Sequence, residues 1–340
     1  MYPELNAARI ISQHRDLYKI ASEKGECLAE VSGKFRYEVR DVSDFPVVGD
    51  FVMIGDNTGD NSHAIIHEVL IRKSSFERTA AGKANQSQVI ASNIDIIFIC
   101  MSLNNDYNLS RLERYLSAAW DSRATPVVVL TKSDLCDKPD DVLTEVSAVA
   151  IGAEIIMTSS HDQASYNQLL NFLKDGHTAS FIGSSGVGKS TLINCLAGQQ
   201  LLATSEIRQD DKGRHTSTRR ELLVLPDGGI VIDTPGMREF GVESIDLSRT
   251  FADIDELINQ CRFNDCSHAS EPGCAVRKAI ADDQLDERRF ENYQKLQKEA
   301  RYVGLNAKQI EKEKLNDMFS EVGGMKKVKK FIRSQKNRKL

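Results

Sequence analysis

At 340 residues the chain exceeds what one ordinary core supports, so two or three domains are expected. Its 41% hydrophobic and 27% charged residues give a globular composition; Arg9, His14, Arg15 and Lys19 break up the first 20 residues, which argues against a secretory signal, and the longest apolar run, Ile96–Leu103, is too short for a membrane span. The net charge of −5 is uneven: the last 15 residues from Lys326 hold eight Lys or Arg and no acid, leaving 36 basic against 49 acidic residues, a net of −13, in the body. These features predict a cytoplasmic protein with no membrane partner and a basic tail that is a candidate contact for nucleic acid.

From about Gly25 to Ala80 short strands alternate with turn signals: Cys27–Val31, Phe35–Val39, Phe51–Ile54 and Ala64–Leu70. Several strands in so short a span, with no helical period, predict a small β-barrel of the oligonucleotide-binding type, placed with an N-terminal extension in residues 1–88. Lys34, Arg36, Arg40, Arg72, Lys73, Arg78 and Lys83 lie in or beside it, with Phe35 and Tyr37 interleaved. Such a mixture suits single-stranded RNA, and it equally suits a barrel core.

Residues 89–245 change to strands alternating with helices. Ile94–Cys100, Pro126–Leu130, Glu154–Met157 and Ala179–Ile182 are apolar strand runs; Leu109, Leu112, Leu116 and Ala119 mark one helix face, and Tyr166, Leu169, Leu170 and Leu173 another. Leu222–Leu225 and Gly229–Asp233 read as a hairpin. The alternation predicts an α/β domain with a mostly parallel sheet and its ligand site at the strand C-termini. Residues 246–340 read as helical and charged, with helices over Phe251–Ile258, Asp286–Gln297 and Asn306–Phe319.

Gly183-Ser184-Ser185-Gly186-Val187-Gly188-Lys189-Ser190 follows a strand and fits G-x-x-x-x-G-K-[ST]. Its glycines let backbone N–H groups point at phosphates and the next helix, with Thr191 in its first turn, presents its positive end. Lys189 would bridge the β- and γ-phosphates and Ser190 would bind Mg²⁺. Asp233-Thr234-Pro235-Gly236 matches D-x-x-G, 44 residues after Lys189: the carboxylate holds Mg²⁺ through water and the Gly236 amide meets the γ-phosphate. Thr131-Lys132-Ser133-Asp134 departs from N-K-x-D only by Thr for Asn. Asp134 accepts the guanine N1–H and amine, and a buried Asp134 facing adenine would be left unpaired, which predicts GTP. Ser159 and Ser160 sit where a third loop would support the base.

The base-reading motif precedes the phosphate loop, the reverse of the ordinary order, so the chain reads as a circularly permuted GTPase. Between Ser190 and Asp233, the stretch Gly213-Arg214-His215-Thr216-Ser217-Thr218 is a candidate switch whose Thr216 or Thr218 reaches Mg²⁺. Met237 stands where a water-orienting glutamine is common, so His215 or a partner group is the candidate for positioning water, and a GTP-gated RNA-binding scaffold is the competing reading.

Cys261-x₄-Cys266-x-His268-x₅-Cys274 supplies three thiolates and an imidazole within 14 residues, the donor set of a closed, structural Zn²⁺ site. Cys27, Cys100, Cys136 and Cys195 read as small buried hydrophobes.

Taken together, these motifs and their order closely resemble the ribosome small subunit-dependent GTPase A family, over nearly the whole chain. The resemblance implies a circularly permuted P-loop GTPase domain between an N-terminal barrel and a C-terminal zinc-binding helical domain. It further implies a monomer that binds the 30S subunit and its 16S rRNA, hydrolyses GTP when stimulated by that subunit, and leaves after hydrolysis, late in subunit maturation.

Overall fold

The computed structural model describes residues 4–55, 63–79, 87–104, 106–202, 220–226, 228–233, 247–301, 305 and 307–318. β1 (Asn6–His14), β2 (Leu17–Ser22) and β3 (Gly25–Val31) form an antiparallel meander, joined by β4 (Phe51–Gly55) and β5 (Ala64–Val69). The order β1-β2-β3-β5-β4 closes on itself because β1 also pairs with β4, and β3 pairs with β5 in parallel. Closure leaves no free edge within the ring. A register shift between Ile10 and Ser12 bends β1 so that one strand serves two neighbours. Ile10, Ile20, Ala29, Val52 and Ile66 fill the interior.

Two expectations need correction here. Residues 6–22 are not an extension: they supply two barrel strands, and Arg9, Lys19 and their charged neighbours alternate with buried Ala8, Ile10, Tyr18 and Ile20. Phe35–Val39 is not a strand: α1 (Gly33–Glu38) lies there, because the Ser32 hydroxyl accepts the Phe35 N–H at 3.0 Å and caps a helical turn. Phe35 then packs edge-on against Phe45 with ring centroids 6.1 Å apart, while Tyr37 is 91% exposed.

A hairpin of β6 (Ser75–Thr79) and β7 (Ser87–Ser92) leads into the α/β part. There β8 (Ile96–Ser102), α2 (Leu109–Asp121), β9 (Thr125–Thr131), α3 (Pro139–Val149), β10 (Glu154–Thr158), α4 (Gln163–Asn167), β11 (Thr178–Ile182), α5 (Lys189–Ala197), β12 (Glu221–Val224) and β13 (Ile230–Asp233) follow in turn. The sheet runs β10-β9-β8-β11-β13-β12, parallel except for β12, which pairs antiparallel with β13 as the expected hairpin. β8 is buried along its whole length, as a strand covered on both faces must be. The C-terminal ends of β9, β10, β11 and β13 bring Thr131, Thr158, Ile182 and Asp233 to the same edge of the sheet.

The sheet and the barrel are continuous through Ser12 of β1 and Glu221 of β12. Beside this joint, fully buried Asp50 accepts from the Val47 N–H (2.8 Å), the Ser92 hydroxyl (2.5 Å) and both Nε and Nη2 of Arg72 (2.8 Å each), and Arg9 donates to the Thr178 hydroxyl at 2.8 Å. Arg72, expected on an RNA-facing patch, is therefore spent on holding a buried carboxylate, since an unpaired charge there would be costly.

The C-terminal helices are α6 (Leu247–Thr250), α7 (Ala252–Asn259), α8 (Ala275–Ala281), α9 (Glu287–Arg301) and α10 (Ala307–Met318). The helix expected over 251–258 is broken at its start, where Phe251 leaves helical geometry and is fully buried against Tyr293. α9 docks on α2: Glu113, fully buried, accepts from Arg289 at 2.9 Å, Arg288 at 3.3 Å and Asn292 at 2.5 Å, and Arg114 pairs with Glu299 at 2.8 Å. Among the described residues no helix is long and apolar enough to cross a membrane.

Candidate nucleotide site and metal centre

The phosphate-loop sequence lies between the fully buried strand β11 and the first turn of α5. Gly183 has φ +140°, and a Cβ there would sit 2.2 Å from the Cys100 carbonyl oxygen on β8, so only glycine lets the loop leave the sheet at this angle. Gly188 takes φ +99° immediately before α5, which directs Lys189, Ser190 and Thr191 into its first turn. The Lys189 ammonium folds over the loop and donates to the carbonyls of Gly183 (2.7 Å) and Ser184 (2.6 Å). Ser185 and Gly186 are exposed at the tip, whereas Val187 is buried beneath it. Burial pushes the Cys100 thiol up to about 12, with Lys189 opposing, so Cys100 is a neutral packing residue below the loop.

The base-reading candidate comes to the same place. Thr131 ends β9 and its hydroxyl donates to the Val187 carbonyl at 2.5 Å. Lys132 follows with φ +58° and its ammonium donates to the Gly186 carbonyl at 2.9 Å. Ser133 and Asp134 then form a 3₁₀ turn. Asp134 is exposed rather than buried, so any selection against adenine has to come from a base that covers the carboxylate as it binds. The Ser159 hydroxyl, fixed at the end of β10, donates to Asp134 Oδ1 at 2.6 Å and holds that carboxyl below the usual range. Ser159 is thus joined to the site by a direct bond, while Ser160 beside it is exposed.

The sequence reading missed one contact. Ser184 donates its hydroxyl to Asp106 Oδ2 at 2.7 Å and accepts from Arg111, and Arg111 pairs with Asp106 Oδ1 at 2.6 Å. An acid and a cation around a helix start are too common in sequences to signal this. Asp233 is half-buried at the end of β13, opposite Glu221. His215, Thr216, Thr218, Gly236, Met237 and the basic tail lie outside the described residues.

Cys261, Cys266, His268 and Cys274 converge between α7 and α8, with their ligand atoms all within 4.8 Å of one another. Cys261 Sγ lies 3.6 Å and Cys274 Sγ 3.5 Å from His268 Nδ1, and the two sulfurs are 4.0 Å apart. A tetrahedron with Zn–S near 2.3 Å and Zn–N near 2.0 Å has edges of about 3.5 to 3.8 Å, so the spacing fits zinc. The turn between is built locally: His268 takes φ +59°, and Glu271 accepts the N–H groups of Ser267, Ala269 and Ser270 at 2.9 to 3.1 Å. Those bonds, with the Ser267 hydroxyl foremost, hold Glu271 down at about 2.

Comparison with known proteins agrees with this geometry. The RsgA GTPase family model matches residues 69–243. An ABC transporter model also matches, over residues 167–337; its span includes the phosphate loop, which many NTPases share, but begins after Thr131–Asp134. "Small ribosomal subunit biogenesis GTPase RsgA 2" of Lactiplantibacillus plantarum is 50% identical over 94% of this chain and 91% of its own length. The protein of the same name from Vibrio parahaemolyticus is 44% identical over 87% of this chain and 80% of its own. Among solved structures, YjeQ from Thermotoga maritima superposes with a TM-score of 0.63 at 26% identity, covering 89% of this chain and all of that one. YloQ, described as a circularly permuted GTPase, superposes with a TM-score of 0.62 at 25% identity, covering 88% of this chain and 96% of that one. With the two candidate nucleotide motifs meeting in inverted chain order, and relatives 44 to 50% identical matched over 80 to 91% of their length, the chain belongs to the RsgA GTPase family and hydrolyses GTP.

Proposed function

We propose that this GTPase is activated by the small ribosomal subunit and acts late in 30S maturation, binding 16S rRNA as a cytoplasmic monomer and leaving after GTP hydrolysis. The relatives' names as small ribosomal subunit biogenesis GTPases support the ribosomal setting. The closed barrel supports the RNA-binding arm, because its strand order is that of oligonucleotide-binding folds. The observation that carries the reading is the bond from Thr131 to Val187, which joins the base-reading and phosphate-reading motifs although permutation has reversed their order.

In this reading Gly183 to Ser190 and Thr191 wrap the phosphates, Lys189 turns from the loop carbonyls to the β- and γ-phosphates, and Thr131, Lys132, Ser133, Asp134, Ser159 and Ser160 form the guanine side. Ser190 and Asp233 offer the hard oxygen donors that suit Mg²⁺, which neutralises phosphate charge when bound with GTP. His215 or a group supplied by the partner orients the attacking water, Thr216 or Thr218 answers to the γ-phosphate, and the Gly236 amide contacts it; these roles come from motif order. Cys261, Cys266, His268 and Cys274 hold one structural Zn²⁺, leaving no open position for catalysis.

The test is GTP and ATP turnover by the purified protein, alone and with purified 30S subunits. Slow GTP turnover that rises at least tenfold with 30S, with ATP untouched, is the expected result. Absence of stimulation would remove the ribosomal activation.

A further inference from the structure

We propose that Asp106 and Arg111 are positioning residues that hold the phosphate loop in its nucleotide-binding shape through Ser184; this rests on the assignment of residues 183–190 as the nucleotide site. Ser184 is the second residue of the loop, and its carbonyl is one of the two that hold Lys189. Its hydroxyl is engaged on both sides, donating to Asp106 Oδ2 at 2.7 Å and accepting from Arg111, whose Nη1 also meets Asp106 Oδ1 at 2.6 Å. The three groups make a closed ring of hydrogen bonds across 78 and 73 positions of sequence.

The frame behind this ring is itself anchored at both ends of the contact. Arg111 lies in the first turn of α2, where the Asn108 side chain accepts its N–H at 2.9 Å. Two residues on, Glu113 ties the same helix to α9 through Arg288, Arg289 and Asn292. Ser184 is therefore fastened to a helix clamped from its other side, and the loop is shaped before any phosphate arrives, which lowers the ordering cost of binding.

Charge gives the arrangement its signature. An anion-binding loop is a poor place for a carboxylate, and Asp106 is tolerable there because Arg111 neutralises it. Removing Arg111 leaves the Asp106 charge without its cation near the phosphates and takes one of its two partners from the Ser184 hydroxyl; removing both charges leaves only the loosened loop.

Titration of a fluorescent GDP into the full-length protein, with KM and kcat for GTP, tests this. Arg111→Met is expected to weaken binding about 30-fold, from a lost charge-assisted hydrogen bond plus carboxylate repulsion. Asp106→Asn/Arg111→Met is expected to recover to about fivefold, and Ser184→Ala to lose about fivefold, the scale of one hydrogen bond. Arg111→Lys is expected to fall between wild type and Arg111→Met. The change should appear in KM more than in kcat, whereas a variant that merely unfolds would lose kcat with its active fraction. Wild-type affinity in Arg111→Met, or a double variant as weak as Arg111→Met, would overturn the proposal. Failure of the wild type to bind GDP at all would instead remove the nucleotide-site assignment.

Discussion

Thr131 stands in the first position of the base-reading motif, and its hydroxyl bonds the carbonyl of Val187, 56 residues later, at 2.5 Å. Threonine replaces the usual asparagine without losing the tie between the two loops: both side chains carry a donor, and the shorter one reaches because β9 and β11 are both neighbours of β8. Lys132 makes the second tie, to Gly186.

We predict that Thr131→Val lowers stability by about 1 to 3 kcal/mol, the cost of leaving a buried carbonyl without its partner, and weakens GDP binding in step. Thr131→Ser should keep most of both. Urea melts of the three proteins without nucleotide check this, and a Thr131→Val midpoint equal to wild type would show that the bond does nothing for the fold.

The acid side of the pH profile tests Ser159. Its bond holds the Asp134 carboxyl below the ordinary value, so the charged form, the one the proposal needs to accept guanine, is present above that lowered value and is lost only as pH falls through it. Binding of a fluorescent GDP should therefore owe no loss to Asp134 down to about pH 5, a unit above the ordinary aspartate near 3.9. Ser159→Ala should raise that carboxyl, so the acid loss begins at higher pH. Identical acid limbs in the two proteins would refute the coupling.

Glu113 is fully buried against Arg288, Arg289 and Asn292, and Arg289 also holds Asp253 at 2.7 Å and the Thr250 carbonyl at 2.7 Å. Glu113→Gln removes one partner from a buried charge and is expected to cost about 3 kcal/mol, the lower end for such cases because Asp253 still faces Arg289. Chemical denaturation gives the number, and a loss under 1 kcal/mol would mean that the carboxylate is not needed to dock α9.

Zinc removal should act on one region. Cys266→Ser, or a strong chelator, is expected to release one zinc per chain and reduce the helical circular dichroism of residues 247–301, because metal-binding energy there is folding energy. GDP affinity should fall by no more than the roughly fivefold expected of Ser184→Ala, since the cluster reaches residues 183–190 through α9 and α2 rather than by direct contact. Zinc content by a colorimetric assay, read beside GDP titration, separates this from general unfolding, which would abolish both.

How far the residues alone carried the structure depends on range. The phosphate loop, the strands feeding it and the hairpin of β12 and β13 were readable because period, turn residues and glycines act within a few positions. β1 and β2 are hard to read from sequence because charged Arg9 and Lys19 interrupt the apolar pattern of Ala8, Ile10, Tyr18 and Ile20. Over residues 33–38 Phe35 and Tyr37 favour a strand by propensity, and the Ser32 cap makes a helix instead. Arg72 reads as a surface cation in the sequence, and only folding places Asp50 beside it.

By itself the sequence determined that a G-x-x-x-x-G-K-[ST] pattern, a base-reading candidate ahead of it and a cysteine and histidine set with zinc-ligand chemistry exist, since each is a short run whose chemistry is written in adjacent residues. Only the tertiary structure decided that Thr131 touches Val187, that Ser159 orients Asp134, that Asp106 and Arg111 fasten Ser184, and that Glu113 docks Arg289 from 176 residues away. Such contacts follow from the order in which strands pair and the face each helix buries, and that order is settled by the packing of the whole chain rather than by any local run of residues.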